Sequence, residues 1–123
     1  MVTPSFCQSE SSAMIESQLS RRQFTTYSYI WMKPILVTCY VNPDLDGVSG
    51  SVAYAEFLQK TGKTAVAGIF GELHEEAKYM LNRFSIEYPQ TLVDAHAFDA
   101  VILVDSSDLK GLGGKVTAEK VIE

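Results

Sequence analysis

The sequence predicts an α/β fold, a Rossmann-like parallel sheet with flanking helices. Two uninterrupted apolar runs, residues 35–41 and 100–104, have the composition of strands that are buried on both faces. Segments with helical periodicity alternate with the apolar runs in the order β-α-β-α-β. This alternation favours parallel strands joined by right-handed crossovers.

The first half of the chain supplies three of these elements. Residues 35–41, ILVTCYV, form the first predicted strand, which ends before Pro43 because proline has no N–H to donate to the ladder. A helix is predicted over residues 48–60, where apolar residues recur at helical spacing, and Gly62 is suited to cap its end. Residues 64–70 form the second predicted strand.

The second half is predicted to be less regular. Residues 72–84 carry one apolar stripe and begin with several glutamates, which predicts a helix. Residues 85–98 are predicted to be irregular, with a short strand near residues 91–93. The apolar run 100–104 is the last predicted strand, and three glycines within residues 109–115 indicate a loop.

Composition divides the chain into a polar start and one domain. Of the 123 residues, 46% are hydrophobic and 20% are charged, as in globular proteins. Residues 1–33 are rich in Ser, Gln and Thr without a sustained period, and we expect a disordered or non-native extension there, with Met32 as the natural start. Residues 34–123 then form the domain.

Charge and cysteine content limit the partners and the compartment. The net charge of −5 argues against an extended nucleic-acid surface, because phosphate backbones are held by clustered Lys and Arg. No apolar run approaches the ~20 residues of a membrane span, so no membrane partner is expected. Cys7 and Cys39 are far apart and predict free thiols in a reducing cytoplasm. A small phosphorylated substrate stays possible if a metal supplies positive charge.

The strongest functional signal is a set of carboxylates at two strand ends. Asp44 and Asp46 follow the first strand, and Asp105 follows the last, with Asp108 three residues on. Ligands of open α/β sheets bind beyond the carboxyl ends of the strands, so these side chains converge if the two strands are neighbours. Like charges ~4 Å apart repel by about 4 kcal/mol at an effective dielectric near 20, so either protons or a divalent cation must offset the repulsion, and we expect the cation. Carboxylate ligands favour Mn²⁺ or Mg²⁺.

The same residues have two other interpretations. Asn-Pro and Asp-Gly are common turn dipeptides, and carboxylates often cap helices after a strand. The sequence DLDGV, residues 44–48, also resembles the opening motif of haloacid-dehalogenase-like phosphatases. That resemblance implies that Asp44 is a nucleophile and Asp46 a general acid/base, with Mg²⁺. Asn42 and Pro43 interrupt the strand, however, and a helix follows without room for the flap of that family.

Two longer segments resemble the DHH phosphoesterase superfamily, in its branch of manganese-dependent inorganic pyrophosphatases and exopolyphosphatases. They are residues 35–63, ILVTCYVNPDLDGVSGSVAYAEFLQKTGK, and residues 98–112, FDAVILVDSSDLKGL. The resemblance implies that residues 34–123 are an incomplete DHH-type domain. It also implies that the catalytic metal ligands are Asp44, Asp46 and Asp105.

The family implies a concrete reaction. Two divalent metals, usually manganese, would activate a water for attack on pyrophosphate or a related phosphoanhydride or phosphoester. A homodimer of the full-length protein is possible.

The sequence departs from the family pattern at several places. Tyr40 stands where the first metal-binding histidine is expected, and Ser106 stands where pyrophosphatases have a second one. The Asp-His-His triplet is absent, and the final VTAEKVIE resembles the strand that leads into it. We therefore expect an amino-terminal fragment that binds metal weakly and hydrolyses little. A phosphate- or nucleotide-binding module that has lost catalysis is the non-enzymatic alternative.

Overall fold

Strands and helices alternate along residues 33–123, the part of the chain that this computed structural model describes. In chain order they are β1 (Ile35–Thr38), α1 (Leu45–Lys60), β2 (Ala65–Phe70), α2 (Glu75–Arg83), β3 (Gln90–Leu92) and β4 (Val101–Leu103). Short 3-10 turns follow at Lys110–Leu112 and Ala118–Lys120. The predicted extension, up to Met32, lies outside the described residues.

The strands form one parallel sheet in the order β3-β2-β1-β4. The chain winds outward from β1 to β3 and then crosses back to place β4 on the other side of β1. The direction of winding therefore reverses between β1 and β4. In open α/β sheets such a reversal leaves a crevice at the carboxyl ends of the two strands, where ligands bind. The predicted fold class is confirmed.

The two sides of the sheet are covered differently. On one side, Val37 packs in a cluster with Ala55 and Leu58 of α1, and Ile69 packs with α2. On the other side, Ala95 and Phe98 of the segment after β3 cover the strands together with Leu112 and Val116 of the segment after β4. Each large apolar side chain buried in this way contributes roughly 1.5–3 kcal/mol relative to leaving it exposed.

The first strand is shorter than predicted. β1 ends at Thr38, because the backbone beyond it turns away from the strand ladder and forms other hydrogen bonds. The N–H of Val41 donates to the carbonyl oxygen of Gly111 at 3.0 Å, and that of Asn42 donates to Phe70 at 2.8 Å. The last strand is likewise confined to Val101–Leu103.

The helix boundaries also differ from the predicted ones. α1 begins at Leu45, three residues before the predicted start at residue 48, because the side chain of Asp44 caps it. α2 begins at Glu75 and not at residue 72. Gly71 has a φ of +82°, and His74 has extended backbone angles, so the segment between them cannot be helical. The predicted edge strand is confirmed as β3, and Gly62, with a φ of +87°, follows α1 as predicted.

Lys120 fastens the end of the described chain to the loop before β4. Its ammonium group donates to three carbonyl oxygens, those of Ala95 at 3.0 Å, His96 at 3.4 Å and Phe98 at 2.8 Å. Beyond it, residues 121–123 run along β4, with the N–H of Leu103 donating to Glu123 at 2.8 Å. Of the final residues that were likened to a strand, Ala118–Lys120 form a 3-10 turn and only Val121 makes a parallel bridge, to Val101.

Neither of the two helices in residues 33–123 has the length and apolar character that a membrane crossing requires.

We predict that Lys120→Met destabilises the domain by about 1–3 kcal/mol, because three carbonyl groups lose a charged donor at once. Urea unfolding followed by circular dichroism measures the change. Lys63→Met, at an exposed position after α1, is the matched control and should leave the unfolding midpoint unchanged. Equal midpoints for the two variants would contradict the assigned role of Lys120.

Candidate active site at the β1–β4 edge

The pairing of β1 with β4 brings Asp44 and Asp105 to one edge of the sheet. The parallel register joins Thr38 to Leu103, and the N–H of Val104 still donates to the carbonyl oxygen of Thr38 at 2.8 Å. Extending this register places Tyr40 beside Asp105. The two strand ends that the sequence analysis connected are therefore neighbours, as the predicted site requires.

Cys39 lies near enough to both carboxylates for their charges to affect its thiol. Burial raises the pKa of the Cys39 thiol, a hydrogen bond with Ser51 lowers it, and the negative charges of Asp105 and Asp44 raise it further. Cys39 is fully buried beneath the start of α1. A Cβ atom at Gly47 would lie 3.1 Å from its sulfur, a tight contact that glycine avoids where the helix approaches Cys39.

Asp44 is the N-cap of α1. Its Oδ1 accepts a hydrogen bond from the N–H of Gly47 at 3.2 Å, and its own N–H donates to the hydroxyl of Tyr40 at 3.3 Å. The hydrogen bond from the Tyr40 side chain and then that from Gly47 hold the pKa of the Asp44 carboxyl below its usual value of 3.8. The turn-and-cap interpretation of Asp44 is therefore correct as local structure, and the carboxylate is kept ionised.

The loop that presents Asp44 is fixed by Asn42. This residue has a φ of +55°, which Asn tolerates better than most residues. Its Oδ1 accepts from the N–H of Glu72 at 2.8 Å, which ties the loop after β1 to the loop after β2. A Cβ atom at Gly71 would lie 2.1 Å from that oxygen, so glycine is required there. Sequence reasoning noted Asn42 as part of a turn dipeptide, as an interruption of the strand and within the resembling segment, but did not foresee its bond to Glu72.

The other predicted carboxylates lie at different points of the edge. Asp105 is exposed and has a φ of +53°, a conformation that Asp also tolerates. Asp46 lies in the first turn of α1 and is exposed. Asp108 caps the next turn, since its Oδ1 accepts from the N–H groups of Lys110 at 3.0 Å and Gly111 at 3.3 Å.

His74 is a further residue beside this edge. It is exposed, and it forms the N-cap position of α2. Its N–H donates to the carbonyl oxygen of Pro43 at 3.5 Å. Its charge lowers the pKa of Asp44 in addition to the larger effects of Tyr40 and Gly47. Sequence patterns carry no signal for this proximity, because it depends on the packing of the two loops.

The described side chains at this edge do not form a complete set of metal ligands. Among residues 33–123, no three His, Cys, Asp or Glu side chains form a group that could hold a metal ion. Carboxylate oxygens suit Mn²⁺ and Mg²⁺, but the hydrogen bond to Asp44 raises the pKa of Tyr40, which therefore stays a neutral phenol and a poor ligand. The described residues thus do not by themselves fit a two-metal centre. The ligand roles of Asp44, Asp46 and Asp105 stay a prediction.

The fold and this edge define a class, a Rossmann-like α/β domain with carboxylates where the sheet reverses its winding. No protein-family model matches the chain. Over 93 residues the chain is 32% identical to a probable manganese-dependent inorganic pyrophosphatase of Bacillus cereus and 31% identical to one of Bacillus mycoides. Each match covers 75% of this chain and 30% of the relative.

A solved structure agrees with these relatives. The crystal structure of a putative family II inorganic pyrophosphatase of Methanococcus jannaschii superposes with a TM-score of 0.55 and 25% sequence identity, over 63% of this chain and 23% of that one. The predicted resemblance is confirmed: the chain is a homologue of manganese-dependent inorganic pyrophosphatases of family II, in the DHH superfamily. It spans about 30% of the length of the curated relatives.

The geometry counts against the haloacid-dehalogenase-like alternative. In this chain Asp44 does not follow the strand directly, because β1 ends at Thr38 and a loop intervenes. α1 then begins at Leu45, which leaves no flap between the two aspartates of the motif and the helix.

We predict that Asn42→Ala destabilises the domain by about 1–2 kcal/mol, because the N–H of Glu72 loses its acceptor and alanine disfavours the positive φ. Asn42→Asp keeps both an acceptor oxygen and tolerance of this φ, so it is the matched control and should retain most of the stability. Urea unfolding measures both. A destabilisation of the aspartate variant as large as that of the alanine variant would contradict the role of the acceptor.

We predict that Asp44 contributes to acid unfolding. Its pKa is lowered in the folded state, so its contribution to stability is present above the unfolded pKa, near 3.8, and is lost as the pH falls through the folded value. In Asp44→Asn, which still caps the helix, this part of the pH dependence should disappear. Urea unfolding in a pH series from about 6 down to about 2.5 tests this. The control Glu87→Gln, at an exposed loop carboxylate, should keep the wild-type profile.

Proposed function

We propose that this chain takes part in the manganese-dependent hydrolysis of pyrophosphate or of a related phosphoanhydride or phosphoester. The observation that carries the proposal is the position of Asp44 and Asp105 at the ends of two adjacent parallel strands, where the sheet reverses its winding. The names of the curated relatives support the metal and the substrate class. Mg²⁺ is the alternative cation.

The proposed roles follow from the chemistry of the residues. Asp44, Asp46 and Asp105 would hold the cations, which would supply a water of lowered pKa and neutralise the phosphate oxygens. The N-terminus of α1, which starts beside Asp44, offers a positive helix dipole to a phosphate group. The polypeptide itself would supply the negative charge that holds the cations, orient the phosphate group and form the walls of the crevice.

The incomplete donor set limits what the chain can do unaided. Because residues 33–123 group fewer than three metal-ligating side chains at any point, we propose that the 123-residue chain binds metal weakly and hydrolyses little. Full activity would require further ligands. We further propose a small phosphorylated substrate, no extended nucleic-acid surface, a cytoplasmic location and a homodimer of the full-length protein.

The non-enzymatic alternative has one observation in its favour. Tyr40, whose hydroxyl contacts the backbone of Asp44, occupies a position where the resemblance requires a histidine. A domain that binds phosphate or a nucleotide without turnover would tolerate this residue. Calorimetric titration with pyrophosphate and with a nucleoside triphosphate, in parallel with the activity assay, distinguishes the two functions.

We predict that the chain releases phosphate from pyrophosphate in the presence of Mn²⁺ only slowly, and that Asp44→Asn and Asp105→Asn each abolish this release. Asparagine tolerates the positive φ of residue 105, so the second variant tests charge and not folding. A colorimetric phosphate assay with and without chelator measures the rate. Hydrolysis that survives both variants would contradict the assigned site, and fast multiple turnover by the wild type would contradict the weak activity.

A further inference from the structure

We propose that the carbonyl oxygens of Ala95, His96 and Phe98 form a binding site for a primary ammonium group, which this chain fills with its own Lys120. Occupation of this site holds residues 121–123 along the outer edge of β4. The inference goes beyond the proposed function and does not depend on it.

The first support is the match between the donors and the acceptors. A lysine ammonium group has three N–H donors and no acceptor. That of Lys120 donates to Phe98 at 2.8 Å, to Ala95 at 3.0 Å and to His96 at 3.4 Å, which gives one carbonyl oxygen for each donor. Hydrogen bonds from a charged donor are stronger than those between neutral groups. Such a set of acceptors suits a primary ammonium group and not a quaternary one, which has no N–H to donate.

The second support is that the turn which carries these carbonyl groups is held by bonds that do not involve Lys120. The N–H of Phe98 donates to the carbonyl oxygen of Ala95 at 3.1 Å, and the N–H of His96 donates to Oδ1 of Asp94 at 2.8 Å. The side chains of Ala95 and Phe98 are buried in the core. Because the site is preorganised, it should persist without the lysine side chain and accept a free cation of the same kind.

The third support is the place of Lys120 in the chain. It ends a 3-10 turn, and the residues that lie along β4 follow it directly. The N–H of Ile122 donates to the carbonyl oxygen of Val101 at 2.9 Å, and the N–H of Leu103 donates to Glu123 at 2.8 Å. The side chain of Ile122 is 61% exposed, so its burial contributes little to this attachment. The bound ammonium group therefore provides much of what keeps the segment on β4.

The test is chemical rescue of Lys120→Ala, followed by amide hydrogen exchange with detection by NMR. We expect the amides of Ile122 and Leu103 to exchange at least about tenfold faster than in the wild type, because charged hydrogen bonds are lost and the segment opens locally. Ethylammonium chloride should restore their protection in a saturable manner. Tetramethylammonium chloride has the same charge but no N–H, and it should not restore protection.

Two controls separate local release from loss of the fold. The N–H of Val104 donates to Thr38 at 2.8 Å, and it should stay more protected than the amides of Ile122 and Leu103 in Lys120→Ala, because the pairing of β1 with β4 does not use the lysine. Lys63→Ala, at an exposed position, should change none of these exchange rates in either salt.

The wild type supplies a second measurement if circular dichroism shows that Lys120→Ala does not fold. Nitrogen NMR of the lysine ammonium groups reports how fast their protons exchange with water. The ammonium protons of Lys120 should exchange more slowly than those of the exposed Lys63, because three carbonyl groups hold them. Equal rates for the two lysines would overturn the site.

The outcomes of the rescue are distinct. Protection of Ile122 and Leu103 in Lys120→Ala that equals the wild type would overturn the role of Lys120. Loss of protection that neither salt restores, or that both restore equally, would overturn the ammonium site. Restoration by ethylammonium alone would support it.

Discussion

The parallel pairing of β1 with β4 is the constraint on which the candidate site depends. Three register pairs, continued by the hydrogen bond from Val104 to Thr38, set the two strand ends side by side. A slip of one residue would turn the buried side chains of β4 to the other side of the sheet, since strand side chains alternate. Burial of Leu36, Val37, Val101 and Ile102 therefore fixes the register, and the register fixes the distance between the loops that carry Asp44 and Asp105.

The loops beyond the strands are held by few but specific contacts. Asn42 joins the loops after β1 and β2, and Gly111 joins the loops after β1 and β4. Glycine is needed at residue 71, where a Cβ atom would collide with Asn42, and at residue 47 it avoids a tight contact with Cys39. Backbone groups as well as side chains therefore set the position of the carboxylates at this edge.

Charge at this edge favours an ionised Asp44, but residues 33–123 do not group three metal-ligating side chains there. Tyr40 and Gly47 lower the pKa of that carboxyl, and His74 adds to the effect. The curated relatives are manganese-dependent pyrophosphatases, yet the chain spans about 30% of their length. An acidic edge of this kind attracts hard cations, and the chemistry that the relatives' names imply requires donors in addition to those of residues 33–123.

The sequence by itself determined the fold class, the order of the elements and the two strand ends that carry carboxylates, because apolar runs and their spacing report burial directly. That these two strands are neighbours was decided only by the tertiary structure. The sequence also determined the resemblance carried by residues 35–63 and 98–112. It could not give the early end of β1 or the late start of α2, because these depend on Gly111, Phe70 and the positive φ of Gly71. Only the tertiary structure decided that His74 lies beside Asp44 and that the Tyr40 hydroxyl is bound to it. Such contacts join residues of separate loops, and local periodicity carries no information about them.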